Sequence, residues 1–81
     1  MDDGLTLYRI EPARNMARFY ALSLEPTLFG GLSLTRRWGR VGTAGRQIVE
    51  LHADRPAALA ALEKWRRAKH RRGYRQPDRP G

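Results

Sequence analysis

Four segments of the chain alternate between apolar and polar residues, the period of two that is typical of strands with one buried face. The pattern is clearest in the second segment, where Tyr20, Leu22 and Leu24 share one face. The segments span residues 5–10, 18–24, 32–38 and 46–52. Their connections are short and contain proline or glycine, which favours an antiparallel order. We therefore predict a twisted antiparallel sheet of four strands, or of five with one added edge strand.

The chain changes to a helical pattern after the fourth segment. Asp54 is suited to cap a helix, Pro56 to its first turn and Gly73 to its end, which predicts a helix over 56–72. At about 100° per residue the apolar residues form one arc centred on Trp65, namely Ala58, Ala61, Leu62, Trp65 and Ala68. A basic stripe lies opposite and comprises Lys64, Arg67 and Arg71. The predicted fold class is α+β, with one C-terminal helix packed on one face of the sheet and Trp65 buried between them.

A chain of 81 residues has room for one small domain. Residues 75–81 contain two prolines and no apolar side chain, so we expect a disordered C-terminal tail after a domain at residues 1–74. The start of the chain lacks the basic and apolar segments of a signal peptide. No apolar run approaches the roughly 18 residues of a membrane span. We expect a monomeric cytoplasmic protein without a membrane partner.

The charge of the chain points to a polyanion. Sixteen Lys and Arg stand against eight Asp and Glu, which gives a formal net charge of +8. Residues 64–75 hold seven basic residues and no acidic one. Fourteen of the sixteen cations are Arg, whose planar guanidinium matches phosphate. A genome rich in G and C would explain Arg in place of Lys, but not the net charge, and a domain this basic is expected to attract nucleic acid.

A Trp-Gly-Arg triplet, Trp38 to Arg40, lies in the segment 37–47, at the end of the third predicted strand. Together with its surroundings it resembles the signature of the WGR family, which is named for this triplet. Further matches at fitting distances are residues 15–24, which resemble the second strand of the family, Ala58 and Leu62 on the helix, and Lys69 with Gly73 and Tyr74. The resemblance extends over residues 5–74.

The resemblance implies a fold and a role. WGR domains form a twisted antiparallel sheet with one helix against it, and in poly(ADP-ribose) polymerases they help to sense DNA breaks. In those enzymes the motif Trp stacks on the sugar at a strand end, the motif Arg links DNA contact to neighbouring domains, and nearby basic residues hold the phosphate backbone. By this likeness Trp38 would stack, Arg40 would be its cationic neighbour and Arg18 would contact phosphate.

The chain departs from the family pattern at two points. Arg66 stands where an aromatic residue is frequent, and Trp65 would supply that ring from the adjacent position. Within these 81 residues nothing corresponds to the catalytic and zinc-finger domains that the motif Arg addresses in the polymerases. The resemblance therefore does not extend an interdomain role to Arg40.

An aromatic ring among arginines has the composition of a stacking platform for nucleic acid. The predicted nucleic-acid-binding residues are Trp38, Arg40, Arg18, Arg36, Arg37, Arg46 and Gln47. A second predicted basic surface, on the helix, comprises Lys64, Arg67, Lys69 and Arg71. Trp38 is also compatible with a core position at a strand end, and both basic sets are also typical of solvated faces. Gly39 either allows backbone or ligand to approach closely or forms a bulge.

Two functions remain open at this point. The first is binding of DNA, or of RNA, at ends, nicks or single strands, with Arg on phosphates, Trp38 on a sugar or base, and little sequence specificity. The second is an adaptor that docks an acidic protein partner through Trp38 and Arg40. Neither needs a cofactor, and we expect no catalysis, because no nucleophile and base occur at a recognisable spacing. We expect no metal site either, since His52 and His70 lie far apart in sequence and no Cys accompanies them.

Overall fold

Four strands and one helix make up the protein, which the computed structural model describes over residues 3–77. The strands are β1 (Asp3–Glu11), β2 (Met16–Pro26), β3 (Leu32–Arg40) and β4 (Arg46–His52), and a 3-10 turn at Pro12–Arg14 joins the first two. The helix, α1, spans Arg55–Arg71. The strands form one antiparallel sheet in the order β1-β2-β3-β4. This confirms the predicted class, α+β with four antiparallel strands and a C-terminal helix.

Alternate residues of the strands form the face on which α1 packs. The register places apolar side chains of neighbouring strands side by side there, namely Leu5 and Leu7 on β1, Tyr20, Leu22 and Leu24 on β2, and Leu34 on β3. All of these except the half-buried Leu5 are buried, and Ala58 and Leu62 of α1, with Tyr74 after the helix, complete the core. Removal of this apolar surface from water is the main favourable term in folding.

Helix α1 begins and ends within one residue of its predicted bounds. The Asp54 carboxylate accepts a hydrogen bond of 2.9 Å from the Ala57 amide, which caps the first turn. Gly73 follows the last turn with a φ of +94°. The stripe opposite the sheet is exposed, as predicted, and comprises Lys64, Arg67 and Arg71. Trp65 is only partly buried, not buried as predicted, because it lies in a polar seam at the edge of the core.

The segment after the helix returns to the sheet. Tyr74 is buried, and its ring meets that of Tyr20 edge-on with centroids 6.4 Å apart. Arg75 and Tyr8 of β1 exchange two backbone hydrogen bonds of 2.8 Å each. The expected tail therefore starts with a residue that is attached to the outer edge of β1. Its last residues, 78–81, lie outside the described part of the chain.

Two glycines bring the β3–β4 loop against β3. Gly45 has a φ of +73°, and a Cβ at this position would overlap the Trp38 carbonyl oxygen. A Cβ on Gly39 would lie 2.8 Å from the Gly45 Cα. Gly39 keeps a regular pairing with Phe19 in the register, so the close approach of backbone explains this glycine. The loop also lies against Phe19, which is 7% exposed although it is on the sheet face that α1 does not cover.

The opposite end of the sheet is apolar. The β2–β3 turn presents Leu28 and Phe29, which are 98% and 96% exposed. Together with Leu51 they border a shallow cavity of about 700 Å³. Residues 27–31 contain no charged side chain. This turn lies at the start of β3, roughly 27 Å from the end of that strand, because each residue of a strand advances about 3.4 Å.

Gly45→Ala should destabilise the protein more than Gly42→Ala does. Both positions have positive φ, which costs a residue with a Cβ about 1–3 kcal/mol. At Gly42 the added Cβ meets nothing within 4 Å, whereas at Gly45 it also overlaps the backbone of Trp38. Because about 1 kcal/mol shifts the Tm of a domain this small by about 4–8 °C, thermal melts should place Gly45→Ala at least about 5 °C below Gly42→Ala. Equal Tm values would show that the close contact between Gly45 and the Trp38 backbone does not affect stability.

Candidate nucleic-acid interface

The strand register divides the predicted contact residues between the two faces of the sheet. Trp38 pairs with Tyr20 of the core and therefore lies on the helix-packed face. The same face carries Arg18, Arg36, Arg40 and Arg46. Arg37 and Gln47 pair with each other on the opposite face, where the Arg37 guanidinium lies 5.3 Å from the centroid of the Phe19 ring. The seven residues predicted from sequence therefore do not form one cluster.

Three arginines stand side by side across β1, β2 and β3 at one end of the helix-packed face. Arg9 pairs with Arg18, and Arg18 pairs with Arg40; we refer to these three residues as the arginine row. Glu11 forms an ion pair with Arg9 at 2.8 Å, whereas among the described residues the Arg18 side chain has no hydrogen bond or ion pair. Like charges directly opposite each other destabilise a sheet. With one carboxylate for three guanidinium groups, the row retains an excess of positive charge.

Arg40, at the end of the arginine row, is held in a fixed direction. Its two terminal nitrogens, Nη1 and Nη2, donate hydrogen bonds of 3.2 and 3.3 Å to the backbone oxygen and the Oδ1 of Asn15. Asn15 itself adopts a left-handed conformation, with a φ of +51°, in the turn between β1 and β2. The guanidinium remains exposed, so it is oriented without being neutralised.

Aromatic rings lie directly beside the arginine row. The Trp38 indole stacks on the Tyr20 ring, with centroids 6.1 Å apart and an angle of 23° between the planes. Trp38 is partly buried against the core, so part of its surface packs on the core and part is open to solvent. Its strand position is about 7 Å from that of Arg40, because residues two apart share a face. Arg46 lies opposite Trp38 on β4 and is exposed, with no side-chain hydrogen bond within residues 3–77.

Arg36 was predicted to contact nucleic acid, and in the structure it is partly buried with partners inside the protein. Its Nε donates to Glu50 Oε2 at 2.8 Å, and its Nη1 donates to the Tyr20 hydroxyl at 3.3 Å. The guanidinium lies 3.9 Å from the centroid of the Trp65 ring and 5.8 Å from that of the Trp38 ring. The side chain is 13% exposed. Its hydrogen bonds are made within the protein, so little of the guanidinium is open to a ligand.

Glu50 is the acidic centre of this network, which joins β2, β3, β4 and α1. Besides Arg36 it receives the Trp65 indole Nε1 at 3.2 Å and contacts His52 Nε2 at 3.3 Å. Burial acts to raise the pKa of the Glu50 carboxyl, but hydrogen bonds with His52 and Arg36 outweigh it and lower that pKa. The pKa of Tyr20 is raised, mainly by burial and against the hydrogen bond from Arg36. The network therefore holds a charged pair beside two uncharged rings.

Lys69 was predicted to belong to the second basic surface of the helix, and the structure places it apart from the exposed stripe of Lys64, Arg67 and Arg71. Its ammonium lies 4.7 Å from the centroid of the Tyr20 ring and 5.8 Å from that of Tyr74. Burial first, and then the charges of Arg72 and Arg36, lower its pKa. Lys69 is therefore a cation on the sheet side of α1, above the same tyrosine on which Trp38 stacks.

The remaining helical stripe is partly neutralised from within the helix. Glu63 accepts hydrogen bonds from Arg66 at 2.6 and 2.8 Å and from Arg67 at 3.1 Å. The hydrogen bond from Arg66 is the main reason that the pKa of Glu63 falls to about 2. Among the cations of this stripe, Lys64 and Arg71 have no carboxylate partner in the described part of the chain.

The positions of Arg9 and Lys69 on the helix-packed side of the sheet differ in how far the sequence could have predicted them. Arg9 follows Leu5 and Leu7 at a spacing of two, which indicates the core face, but only the register of β1 on β2 brings it beside Arg18. Lys69 is four residues after Trp65, or about 40° around the helix from it. Helical geometry alone could have placed Lys69 within the sheet-facing arc.

Neither a metal centre nor a membrane-spanning helix is found within residues 3–77. No three His, Asp or Glu side chains in this range come together as ligands for an ion. Helix α1 is not long and apolar enough to cross a membrane.

Comparison with known proteins points to one family. The sequence pattern of the family described as WGR domain matches residues 4–80. An uncharacterized protein of Sinorhizobium fredii, y4dW, is 45% identical to this chain over 71 residues, which are 88% of this chain and 35% of that protein. The chain thus spans about a third of the length of this relative. No solved structure matches.

Acid should destabilise the protein through Glu50. Because the pKa of Glu50 is lowered in the folded state, its interactions stabilise the protein above its ordinary pKa of 4.5 and are lost as the pH falls through the lowered value. Thermal melts between pH 7 and pH 2 should therefore show a Tm that falls below about pH 4.5. Glu50→Gln should reduce this acid-dependent loss.

Glu63→Gln is the matched control for the acid titration. Glu63 also has a lowered pKa, but its carboxyl lies at the surface, where salt screens an ion pair and leaves it little effect on stability. In buffer of physiological ionic strength this variant should retain most of the acid-dependent loss. If the Tm of Glu50→Gln falls with pH in parallel with that of the wild type, Glu50 is not the source of the acid-dependent loss of stability.

Proposed function

Since this chain belongs to the WGR family, we propose that it binds DNA, or RNA, through the sugar–phosphate backbone, preferring strand ends and nicks and showing little sequence specificity. The observation that carries the proposal is the arginine row, Arg9–Arg18–Arg40, directly beside the partly exposed Trp38. It unites two kinds of contact that nucleic acid offers together: phosphate for the guanidinium groups and a sugar or base for the ring.

Electrostatics supports a phosphate ligand at the arginine row. Neighbouring strands are about 4.8 Å apart, so the three arginines start from points that span roughly 10 Å. Within the described residues, Glu11 is the row's one carboxylate partner. A strand of phosphates would replace the repulsion among the arginines by attraction and would release its own counterions. Arg46 and Lys69 lie on the same face and add to the field that a phosphate would meet.

The position of Trp38 supports a preference for ends and nicks. One side of its indole is taken up by Tyr20 and the core, so only part of the ring is available for a ligand. Inside an intact duplex the bases are stacked on one another and the sugars are flanked by both neighbours. At a strand end one sugar or base is uncovered, and the ring can pack on it while the arginine row holds the adjacent phosphates.

The lack of sequence specificity follows from where the polar side chains lie. Base reading in the major groove requires a helix or strand whose side chains project into the groove. The exposed stripe of α1 is basic and offers phosphate contacts instead. We include Lys64, Arg67 and Arg71 in the proposal as a second, weaker backbone contact, since Glu63 already binds Arg67.

An acidic protein partner is the second candidate. The observation that favours it is the pair of hydrogen bonds by which Asn15 orients the exposed Arg40 guanidinium, a pre-organised geometry that also suits a carboxylate. On this alternative Trp38 and Arg40 form a docking surface of an adaptor. On either alternative the domain acts by binding and without catalysis, in the cytoplasm and as a monomer.

Binding to a short duplex with 5′-phosphate ends should weaken steeply with salt. If about 3–5 phosphates are neutralised, the log–log slope of affinity against salt concentration should be near −3 to −4.5. Arg18→Gln should weaken binding and make the slope shallower by about one unit. Arg67→Gln removes the same charge at the stripe and should change both quantities less. Absence of binding at low salt would discard the nucleic-acid proposal and leave the adaptor.

Trp38→Ala should separate stacking from charge. Loss of one stacked ring should weaken binding to end-bearing or single-stranded DNA by about 1–3 kcal/mol, with little change in the salt slope, because no phosphate contact is lost. Because Trp38 is half-buried, its stability loss should fall between the roughly 0.5 kcal/mol of a surface site and the about 3–5 kcal/mol of a core Trp. Circular dichroism melts and titrations below the lowered Tm measure the two effects. An unchanged affinity for ends would rule out stacking by Trp38.

A further inference from the structure

Two neighbours contact the Trp38 ring, and hydrogen bonds connect both of them to Glu50: Arg36 directly and Tyr20 through Arg36. Its ring stacks on Tyr20, and the Arg36 guanidinium lies 5.8 Å from its centroid. Arg36 in turn donates to the Tyr20 hydroxyl and to the Glu50 carboxylate. Among the described residues Glu50 has no hydrogen bond or ion pair with Trp38 or the arginine row, so its contact with Trp38 runs through Arg36.

The position of Arg36 requires a negative charge beside it. Among the described residues, the one carboxylate that binds Arg36 is Glu50, whereas Lys69 lies close enough for the charge of Arg36 to lower its pKa. Without the carboxylate, a guanidinium this little exposed would be drawn towards solvent. It would then leave the space between the Trp38 and Trp65 rings, and both rings would lose the cation that packs on them.

Glu50 is itself fixed from the helix. The indole Nε1 of Trp65 donates to the same oxygen, Oε2, that binds Arg36. His52, two residues along β4, contacts the other oxygen. The carboxylate is therefore held from α1 and β4 independently of its bond with Arg36.

We infer that Glu50 is a positioning residue of the binding surface: through Arg36 it holds the Trp38 ring in the orientation in which the ring meets a nucleic-acid end. The inference rests on the proposed function and adds an acidic residue to a site that otherwise consists of cations and rings. Loss of this positioning predicts a change in binding that a change of net charge alone does not produce. Removing a carboxylate raises the net charge from +8 and by electrostatics strengthens binding to any nucleic acid, whereas loss of positioning weakens binding to ends.

The test compares Glu50→Gln with Glu63→Gln, which changes the net charge equally on the exposed helix stripe. Glutamine keeps the size of the side chain and an oxygen acceptor, which favours retention of the fold. The ligands are a short blunt duplex with 5′-phosphates and the same duplex closed at both ends by hairpin loops, which has no strand ends. We expect Glu63→Gln to bind both at least as tightly as the wild type. We expect Glu50→Gln to bind the blunt duplex about 5-fold or more weakly and the closed duplex at least as tightly.

A spectroscopic measurement tests the positioning without any ligand. Fluorotryptophan labelling gives one ¹⁹F resonance for each of the two tryptophans, and Trp38→Phe assigns the resonance of Trp38. Glu50→Gln should shift or broaden the Trp38 resonance, and Glu63→Gln should leave it in place. Arg36→Lys, which conserves charge but lacks the planar fork, should reproduce the effect of Glu50→Gln on both the resonance and the blunt duplex.

Each outcome decides the inference. Parallel behaviour of Glu50→Gln and Glu63→Gln, in binding and in the Trp38 resonance, overturns it. Loss of the folded state in both Glu50→Gln and Arg36→Lys also overturns it, because the pair would then be a requirement of the fold. If the wild type binds neither ligand, the proposed function fails, while a Trp38 resonance that moves only in Glu50→Gln and Arg36→Lys still establishes the positioning.

Discussion

Arg36 and Glu50 form an ion pair in the seam where α1 meets the sheet, between the rings of two tryptophans. Such a pair gives up part of its hydration, and the attraction between its members offsets that cost only when the geometry is good and further hydrogen bonds are made. Here the further bonds come from Tyr20, Trp65 and His52. The pair thus links all the layers of a domain whose apolar core is small.

Tyr20 shows how closely the core and the interface are joined. It is fully buried, yet it contacts a residue of each functional kind: the Trp38 ring, the Arg36 guanidinium and the Lys69 ammonium. A domain of this length buries a smaller fraction of its surface than a larger one does, so it has few residues to spare for packing alone. Residues beneath the proposed binding surface therefore also stabilise the fold, and a change at one of them would act on both properties.

Most of the fold could be predicted from the sequence because its signals are local. The period of two around Tyr20, the cap at Asp54 and the stop at Gly73 act over a few residues each. The site was harder, although the faces on which two of its residues lie could have been inferred from the sequence. Arg37 follows Arg36 and precedes Trp38, so in a strand it must point away from both, and the helical angle of Lys69 places it towards the sheet.

Other features of the site could not be predicted, because they depend on register. Arg9 meets Arg18, and Glu50 meets Arg36, only through the pairing of strands that are separated along the chain. A shift of one residue in either pairing would send these side chains to opposite faces. Strand register is set by the packing of the whole domain, so no local pattern around Arg36 reveals that its charge is neutralised.

The apolar β2–β3 turn and the arginine row lie at opposite ends of the same sheet, so the three guanidinium groups of the row are far from the uncharged turn. If the domain binds nucleic acid as proposed, attraction between that polyanion and the row would orient the molecule before contact, so that the row leads and Leu28 and Phe29 trail. Encounters would then begin in the productive orientation more often than chance allows, and the gain would fade as salt shortens the range of the field to about 8 Å at physiological ionic strength. For the proposed binding, the uneven distribution of charge would therefore affect how quickly a complex forms as well as how tightly it holds.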